Sequence, residues 1–262
     1  MTLKCGLAIR WLKACADILI KNYNQQGGYM AKTEAKQVTL SSAKYYNILT
    51  FIFVFCLLIS NIAEMKIINI FNIAQIGAGT LFFPLLYVLN DVITEIYGFS
   101  ASRRMIFLAL IFNMSFSLLM YLIIFLPEGA DWQEKEAFNT IFALSPRIML
   151  GSLLSYFIGE LVNSAIISNL KLQFRGKFFA IRATFSTLVS SFLESILFVL
   201  IAFYGRMPDQ ELIKMILMLT IIKVMYEILV MPATLALISF LKETEKLDVY
   251  EKPLFKNIFP KW

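Results

Sequence analysis

Six long apolar stretches take up most of this chain, and they constrain its fold more than any other feature. Each has close to the roughly 20 residues that a transmembrane helix needs to cross the hydrocarbon core of a bilayer. They lie at about residues 46–63, 79–97, 105–125, 148–168, 183–203 and 212–240. Only 16 % of the residues are charged, whereas a soluble domain carries about a quarter. The pattern predicts an all-α integral membrane protein, a bundle of six transmembrane helices.

The charges between these stretches predict the orientation. Eighteen of the 24 Lys and Arg residues lie in the two tails and in the turns after the second and fourth stretches. Because Lys and Arg collect on the cytoplasmic side of a membrane, we expect both termini there. The chain then divides into a basic cytoplasmic tail (1–44), a transmembrane domain (45–242) and a C-terminal cytoplasmic tail (243–262). A short helix is expected in the longest outer loop, 127–147.

The first 29 residues leave two interpretations open. The stretch 7–20 is interrupted by Arg10, Lys13 and Asp17, so it suits neither the apolar core of a signal peptide nor a transmembrane span. One interpretation is a basic amphipathic helix lying on the membrane surface. The other is that translation starts at Met30 and that the preceding residues are not native.

The chain contains no histidine, which narrows the chemistry it could perform. Most zinc, haem and Ser/His hydrolase mechanisms depend on that residue. The three cysteines have spacings that match no disulfide framework or zinc site, and the sequence contains no phosphate-binding glycine loop. We therefore expect a protein that is not an enzyme and that has no cofactor, metal site or nucleic-acid partner.

Acidic side chains occur inside the second apolar stretch. A charge near the bilayer centre costs at least roughly 2.5 to 3.5 kcal/mol, so an acid there is a candidate for function. Asp91 and Glu95 are four residues apart and share a helix face, with Asn90 beside them. Glu95 is close enough to the predicted end of the span that a position among the lipid headgroups also stays open.

The fourth and fifth stretches add further candidates. Glu160 and Asn163 are three residues apart, and together they can present donors and an acceptor to a flat heterocycle. An interhelical hydrogen bond without a ligand is the alternative. In the fifth stretch Glu194 lies about 18 Å along the helix axis from Arg182. That distance predicts a carboxylate near the middle of the membrane.

The sixth stretch contains the one lysine among the interior candidates. Lys223 and Glu227 are spaced to form an ion pair along one helix face, and that pair could be purely structural. With five acids and one lysine in the interior, we expect some acids to be protonated or matched by a cation. This balance suits a cationic or proton-coupled substrate.

Several ordered blocks carry a resemblance to a known family. They are FPLLYVLNDVITEIYG (83–98), GELVNS (159–164), KVMYE (223–227) followed by Pro232, and LKETEKLD (241–248). Through these blocks, the chain between about residues 45 and 248 resembles the queuosine precursor transporter family. This is the vitamin-uptake-transporter group of six-span bacterial inner-membrane proteins. The N-terminal tail lies outside the resemblance.

The resemblance implies import of 7-deazaguanine bases such as preQ0, preQ1 or queuine for tRNA modification. It implies a secondary transporter, with a proton as one candidate for the coupling ion. The residues predicted to bind substrate are Asn90, Asp91, Glu95, Glu160, Asn163, Arg182, Glu194, Lys223 and Glu227. The family carries an Asp in the fifth span where this chain has Ser190, Ser191 and Glu194, so the choice among the bases stays open.

Two other functions and one question of assembly are also left open. The chain could be the substrate-capture subunit of an energy-coupling-factor vitamin importer. Such subunits dock their partner through small residues on the first span, whereas this chain has mostly bulky residues there. A membrane-embedded enzyme is disfavoured because histidine is absent. A homodimer is compatible with the sequence.

Overall fold

Seven α-helices make up most of the part of the chain that the structure describes. The structure is a computed structural model, and it describes residues 43–63, 66–70, 74–127, 129, 132–142, 146–205 and 207–253. The helices are α1 (Tyr46–Ala63), α2 (Phe83–Tyr97), α3 (Phe99–Ile124), α4 (Lys135–Phe142), α5 (Pro146–Gln173), α6 (Phe179–Phe203) and α7 (Asp209–Glu245). Both interpretations of residues 1–29 fall outside the described residues.

Five of these helices are long and apolar enough to cross a membrane, namely α1, α3, α5, α6 and α7. Four of them run a few residues beyond at least one predicted end, and α1 has the predicted bounds. Large apolar side chains such as Phe51, Phe112 and Leu229 are more than half exposed on their outer faces. Exposed apolar surface of this extent suits contact with lipid. The prediction of a helical membrane protein is confirmed at this level.

The second predicted span takes a different form from the continuous helix expected over 79–97. A 3₁₀ turn (Ala78–Leu81) comes first, and α2 begins at Phe83 with Pro84 in its first turn. Proline suits that position because a first-turn N–H has no helical partner to lose. The 15 residues of α2 extend about 22 Å, less than the roughly 30 Å of a bilayer core. Helix length alone therefore supports five spans and leaves α2 as a shorter sixth element.

Although α2 is short, it is the centre of the bundle. Every residue from Leu86 to Tyr97 is buried, and the helix packs against α1, α3, α5 and α7. Helix α6 packs against α5 so closely that a Cβ added at Gly159 would lie 2.9 Å from the Cβ of Glu194. Small residues recur every four positions on this face of α5, at Gly151, Ser155 and Gly159, and they make this approach possible.

Two short elements lie outside the helix bundle pattern. An antiparallel hairpin joins β1 (Ile67–Ile70) to β2 (Ala74–Gly77), an element that the sequence pattern does not predict. Strands of four residues are too short for an alternating pattern to be recognised. The short helix expected in the 127–147 loop is present as α4.

Gly98 forms the turn between α2 and α3. Its φ angle is +86°, a conformation that residues with a Cβ rarely adopt. A Cβ there would also lie 2.9 Å from side-chain atoms of Val249 and Glu251. The glycine therefore lets the chain segment that follows α7 cross the end of α2.

Candidate functional site

A cavity of about 150 Å³ lies between α1, α2, α5, α6 and α7, in the half of the bundle where α2 begins. In another protein a cavity of this volume holds one benzene molecule. Its walls are largely apolar and aromatic, and its polar groups come from α1, α5, α6 and α7. The lining residues include Phe83, Ser155, Tyr156, Glu194, Phe198 and Lys223.

An ion pair forms the charged part of the cavity wall. Lys223 Nζ on α7 lies 2.9 Å from Glu194 Oε1 on α6, and each side chain is slightly more than 10 % exposed. The hydroxyl of Tyr87 donates a hydrogen bond to Glu194 Oε2. The Lys223 ammonium also lies 5.4 Å from the centre of the Tyr87 ring, within the range of a cation–π interaction. A donor and an acceptor are thus held side by side next to the cavity.

The pairing of Lys223 corrects one sequence-based interpretation. The helical spacing of Lys223 and Glu227 allows a structural ion pair between them, but the lysine reaches across to Glu194 instead. The flexible lysine side chain can span the gap because α6 and α7 are in direct contact. Within the described residues, neither carboxylate oxygen of Glu227 has a hydrogen-bond partner.

Deeper in the bundle, α2 and α5 are joined by two amide–carboxylate hydrogen bonds. Asn90 Nδ2 donates to Glu160 Oε2 at 2.5 Å, and Asn163 Nδ2 donates to Asp91 Oδ1 at 2.5 Å. The carbonyl oxygen of the Asn90 side chain accepts hydrogen bonds from Ser102 and Ser164. We call Asn90, Asp91, Glu160, Asn163 and Glu227 the central layer. The interhelical hydrogen bonds expected as one alternative for Glu160 and Asn163 are present.

Glu95 lies one turn beyond the central layer and is completely buried. Protein groups, and not water, therefore surround this carboxylate. Arg182 binds it through two hydrogen bonds of 2.9 and 3.3 Å. Lys242 Nζ lies 2.8 Å and Lys171 Nζ 3.8 Å from Glu95 Oε1. Three cations thus surround one carboxylate, as an ionised acid in a dry interior requires.

The segment that follows α7 closes over this group of charges. Asp248 accepts from both Lys171 and Lys242, at 2.5 and 2.8 Å. We call Glu95, Lys171, Arg182, Lys242 and Asp248 the ion-pair cluster. It binds together α2, α5, α6 and α7 at the end of the bundle opposite the cavity.

Backbone contacts fix the same segment in place. The Val249 N–H donates to the Ile96 carbonyl at 3.0 Å, and the Ser100 N–H donates to Glu251 Oε2 at 2.8 Å. Tyr250 packs against the Lys171 ammonium, 4.5 Å from its ring centre. Burial, together with the nearby Asp248 carboxylate, raises the pKa of Tyr250 to about 12, so this phenol stays neutral.

The nine predicted site residues thus fall into three groups. Glu194 and Lys223 line the cavity; Asn90, Asp91, Glu160, Asn163 and Glu227 form the central layer; Glu95 and Arg182 belong to the ion-pair cluster. Sequence reasoning missed Tyr87, although it shares a helix face with Asp91 at a spacing of four residues. It also missed Lys171 and Lys242 as cluster members, because basic residues near span ends indicate orientation first, and it missed Asp248 because that acid lies beyond the last predicted span.

Comparisons with known proteins agree on one kind of relative. The family model described as "Putative vitamin uptake transporter" matches residues 77–237. A "Probable queuosine precursor transporter" of Bacillus subtilis (strain 168) is 23% identical over 194 residues, which cover 73% of this chain and 84% of the relative. A "Queuosine precursor transporter" of Escherichia coli (strain K12) is 28% identical over 131 residues, covering 50% of this chain and 56% of the relative. No solved structure matches the chain significantly.

Proposed function

Because this chain belongs to the vitamin uptake transporter family, a family of multi-pass membrane transporters rather than enzymes, we propose that it imports queuosine precursors. The substrates in this proposal are 7-deazaguanine bases such as preQ0, preQ1 and queuine. The names of the two curated relatives support the substrate class. The proposed location is the inner membrane of a bacterium. The comparisons give no support for a homodimer.

The observation that carries the proposal is the Glu194–Lys223 pair beside an aromatic cavity. A deazaguanine presents an N–H and an exocyclic amine next to a carbonyl oxygen. The Glu194 carboxylate can accept from the two N–H groups, while the Lys223 ammonium donates to the carbonyl. Tyr156 and Phe198 supply aromatic surface for the flat face of the base. A bicyclic base is larger than a single ring, so its binding widens this cavity.

The two ends of the bundle suggest how the substrate passes through. In the proposed orientation both termini are cytoplasmic, and α2 with its preceding 3₁₀ turn forms the sixth crossing. The cavity then lies in the outer half, and the ion-pair cluster closes the cytoplasmic half. Release into the cell requires the contacts of Glu95, Lys242 and Asp248 to open. The central layer lies on the path between the two halves.

Equilibrium binding to the purified full chain tests the proposal. We expect preQ0, preQ1 or queuine to bind, and adenine to bind far more weakly because its amine meets Lys223 where a carbonyl is required. A comparison of guanine with hypoxanthine, which keeps the carbonyl but lacks the exocyclic amine, measures the second contact to Glu194. If adenine and the deazaguanines bind equally, the proposed recognition is wrong.

A second experiment separates this proposal from a substrate-capture subunit. The chain alone is reconstituted into lipid vesicles, and accumulation of radiolabelled base inside them is measured. A secondary transporter moves the base without a partner. Binding without any translocation would instead support the capture subunit of an energised importer.

A further inference from the structure

The central layer contains buried oxygen atoms that no protein group satisfies. Glu227 on α7 is 2 % exposed, and both of its carboxylate oxygens lack a hydrogen-bond partner among the described residues. Two hydroxyls on α6, those of Thr187 and Ser191, are fully buried and unpartnered in the same sense. Buried polar atoms in proteins are nearly always hydrogen-bonded, so a group of unpartnered oxygens points to a missing ligand.

Hydrogen bonds place this part of α6 next to Asp91, because Asn163, which donates to Asp91, accepts from Ser190 on α6. Thr187 and Ser191 are four residues apart and share one face of α6. The Thr187 hydroxyl lies beside the Glu227 carboxyl without the geometry of a hydrogen bond. Asp91 and Glu227 are close enough to repel each other electrostatically. Helices α2, α6 and α7 thus direct two carboxyl groups and two hydroxyls towards one buried region.

Within the described residues, no cation neutralises this pair of acids. The charged groups acting on Asp91 are Glu227 on α7, Glu160 on α5 and Glu95 on its own helix, and all three are acids. Asn163 donates a hydrogen bond to Asp91 but carries no charge.

The nearby basic residues have other partners. Lys223 pairs with Glu194, and Arg182, Lys171 and Lys242 surround Glu95. Two carboxylates buried together cannot both stay ionised without a compensating positive charge.

We propose that Asp91, Glu227, Thr187 and Ser191 bind one monovalent cation, a proton or Na⁺, at a site separate from the cavity. All of the donor atoms are hard oxygens, which suit such a cation. The described residues hold no group of three or more His, Cys, Asp or Glu placed to bind a metal ion. Four donor side chains fall short of the six to eight oxygen ligands that Ca²⁺ takes, whereas one positive charge is enough to relieve the repulsion between two buried carboxyl groups.

The site lies close enough to the cavity for the bound cation to influence it. Glu227 lies one helical turn from Lys223 on α7, and Lys223 lines the cavity. The cation also joins α2, α6 and α7, three of the helices whose contacts close the opposite end. Its role as the coupling ion rests on the proposed import function, whereas its binding does not.

The test uses the purified full chain without any base, so its outcome is independent of the proposed substrate. Infrared spectroscopy at neutral pH measures the C=O stretching band of protonated carboxylic acids. The dependence of the thermal unfolding midpoint on Na⁺, replaced by choline at constant ionic strength, measures sodium binding. The variants are Asp91→Asn and Glu227→Gln, with Glu134→Gln, an exposed acid, as the matched control.

Two results support the site and identify the cation. If it is a proton, both site variants lose a protonated-carboxyl band that wild type and Glu134→Gln retain. If it is Na⁺, the salt raises the wild-type midpoint by about 2 to 4 °C or more, and the site variants lose this response. Glu227→Gln keeps the size of the side chain and needs no bound cation to neutralise it, so it should fold at least as well as wild type. Unchanged bands in both site variants together with no sodium response in wild type would overturn the proposal.

Discussion

At the scale of single residues, the partner of Lys223 determines what the cavity offers a ligand. An ion pair sealed away from water contributes little net stability, because removing both charges from water costs about as much as their attraction returns. Glu194 and Lys223 are partly exposed at the cavity wall, so they remain available to a ligand. We interpret this pair as a recognition element more than a structural one.

The first prediction is that Glu194→Gln weakens binding of a deazaguanine base by about tenfold or more. The substitution preserves the side chain's shape but puts an amide donor where the base presents its own N–H groups. The control is Glu211→Gln, which removes an acid whose ion pair with Lys214 is on the surface. Equilibrium binding to both variants measures the effect, and equal affinities in the two would contradict the assigned role.

At the scale of helices, the contact between α5 and α6 sets the position of Glu194. Gly159 faces that side chain so closely that any Cβ would meet it. The distance between α5 and α6 and the position of the Glu194 carboxylate are therefore coupled. A substitution on α5 can displace this carboxylate although the substituted residue does not contact a ligand.

The second prediction is that Gly159→Ala lowers stability by about 1 to 3 kcal/mol through overpacking and also weakens binding of the base. Gly129→Ala is the matched control, because a Cβ at Gly129 meets nothing within 4 Å. Denaturant unfolding and equilibrium binding are measured on the same preparations. Wild-type values for Gly159→Ala in both assays would show that α5 and α6 adjust freely.

The segment after α7 connects α2, α3 and α5 at one end of the bundle through hydrogen bonds to all three helices. The third prediction is that Asp248→Asn with Glu251→Gln speeds hydrogen exchange of the Val249 amide by about tenfold or more, since the contacts that hold the segment are lost. Lys252→Gln, an exposed change in the same segment, should leave that rate unaltered. Unchanged exchange in the double variant would mean that the backbone hydrogen bond to Ile96 alone holds the segment.

Helix positions could be predicted from the sequence because hydrophobicity over about 20 residues is a local signal. The bounds of α1 were predicted to the residue. The start of α2, four residues later than the predicted start of the second span, depends on Pro84 and on the hairpin before it. The membership of the ion-pair cluster could not be predicted, because Glu95 meets Lys171 and Lys242 only through tertiary packing. Tertiary packing also explains why the pair suggested by the helical spacing of Lys223 and Glu227 does not form: Glu194 on the neighbouring helix binds the lysine instead.

At the scale of the whole molecule, the number of crossings decides which sides the termini occupy. Five crossings place the two termini on opposite sides of the membrane, whereas six place them on the same side. The question is therefore whether α2 and its 3₁₀ turn complete a crossing in spite of their length.

The fourth prediction is that both termini are cytoplasmic. The measurement uses reporters fused separately to the N-terminus and to the C-terminus, one kind fluorescent only in the cytoplasm and one kind active only outside it. We expect both fusions to report the cytoplasm, and a fusion at Gly129 to report the outside. Termini on opposite sides would establish five crossings and would remove α2 as a span.

The most direct test of the import proposal is the queuosine content of tRNA in cells that cannot synthesise deazaguanine bases and lack a transporter of their own. Cells expressing this chain are supplied with preQ0, preQ1 or queuine, together with the enzymes that insert each base. We predict that the wild-type chain restores queuosine with at least one base, and that Glu194→Gln restores less at a limiting base concentration. If the wild-type chain is present in the membrane and queuosine stays absent with all three bases, the account is contradicted.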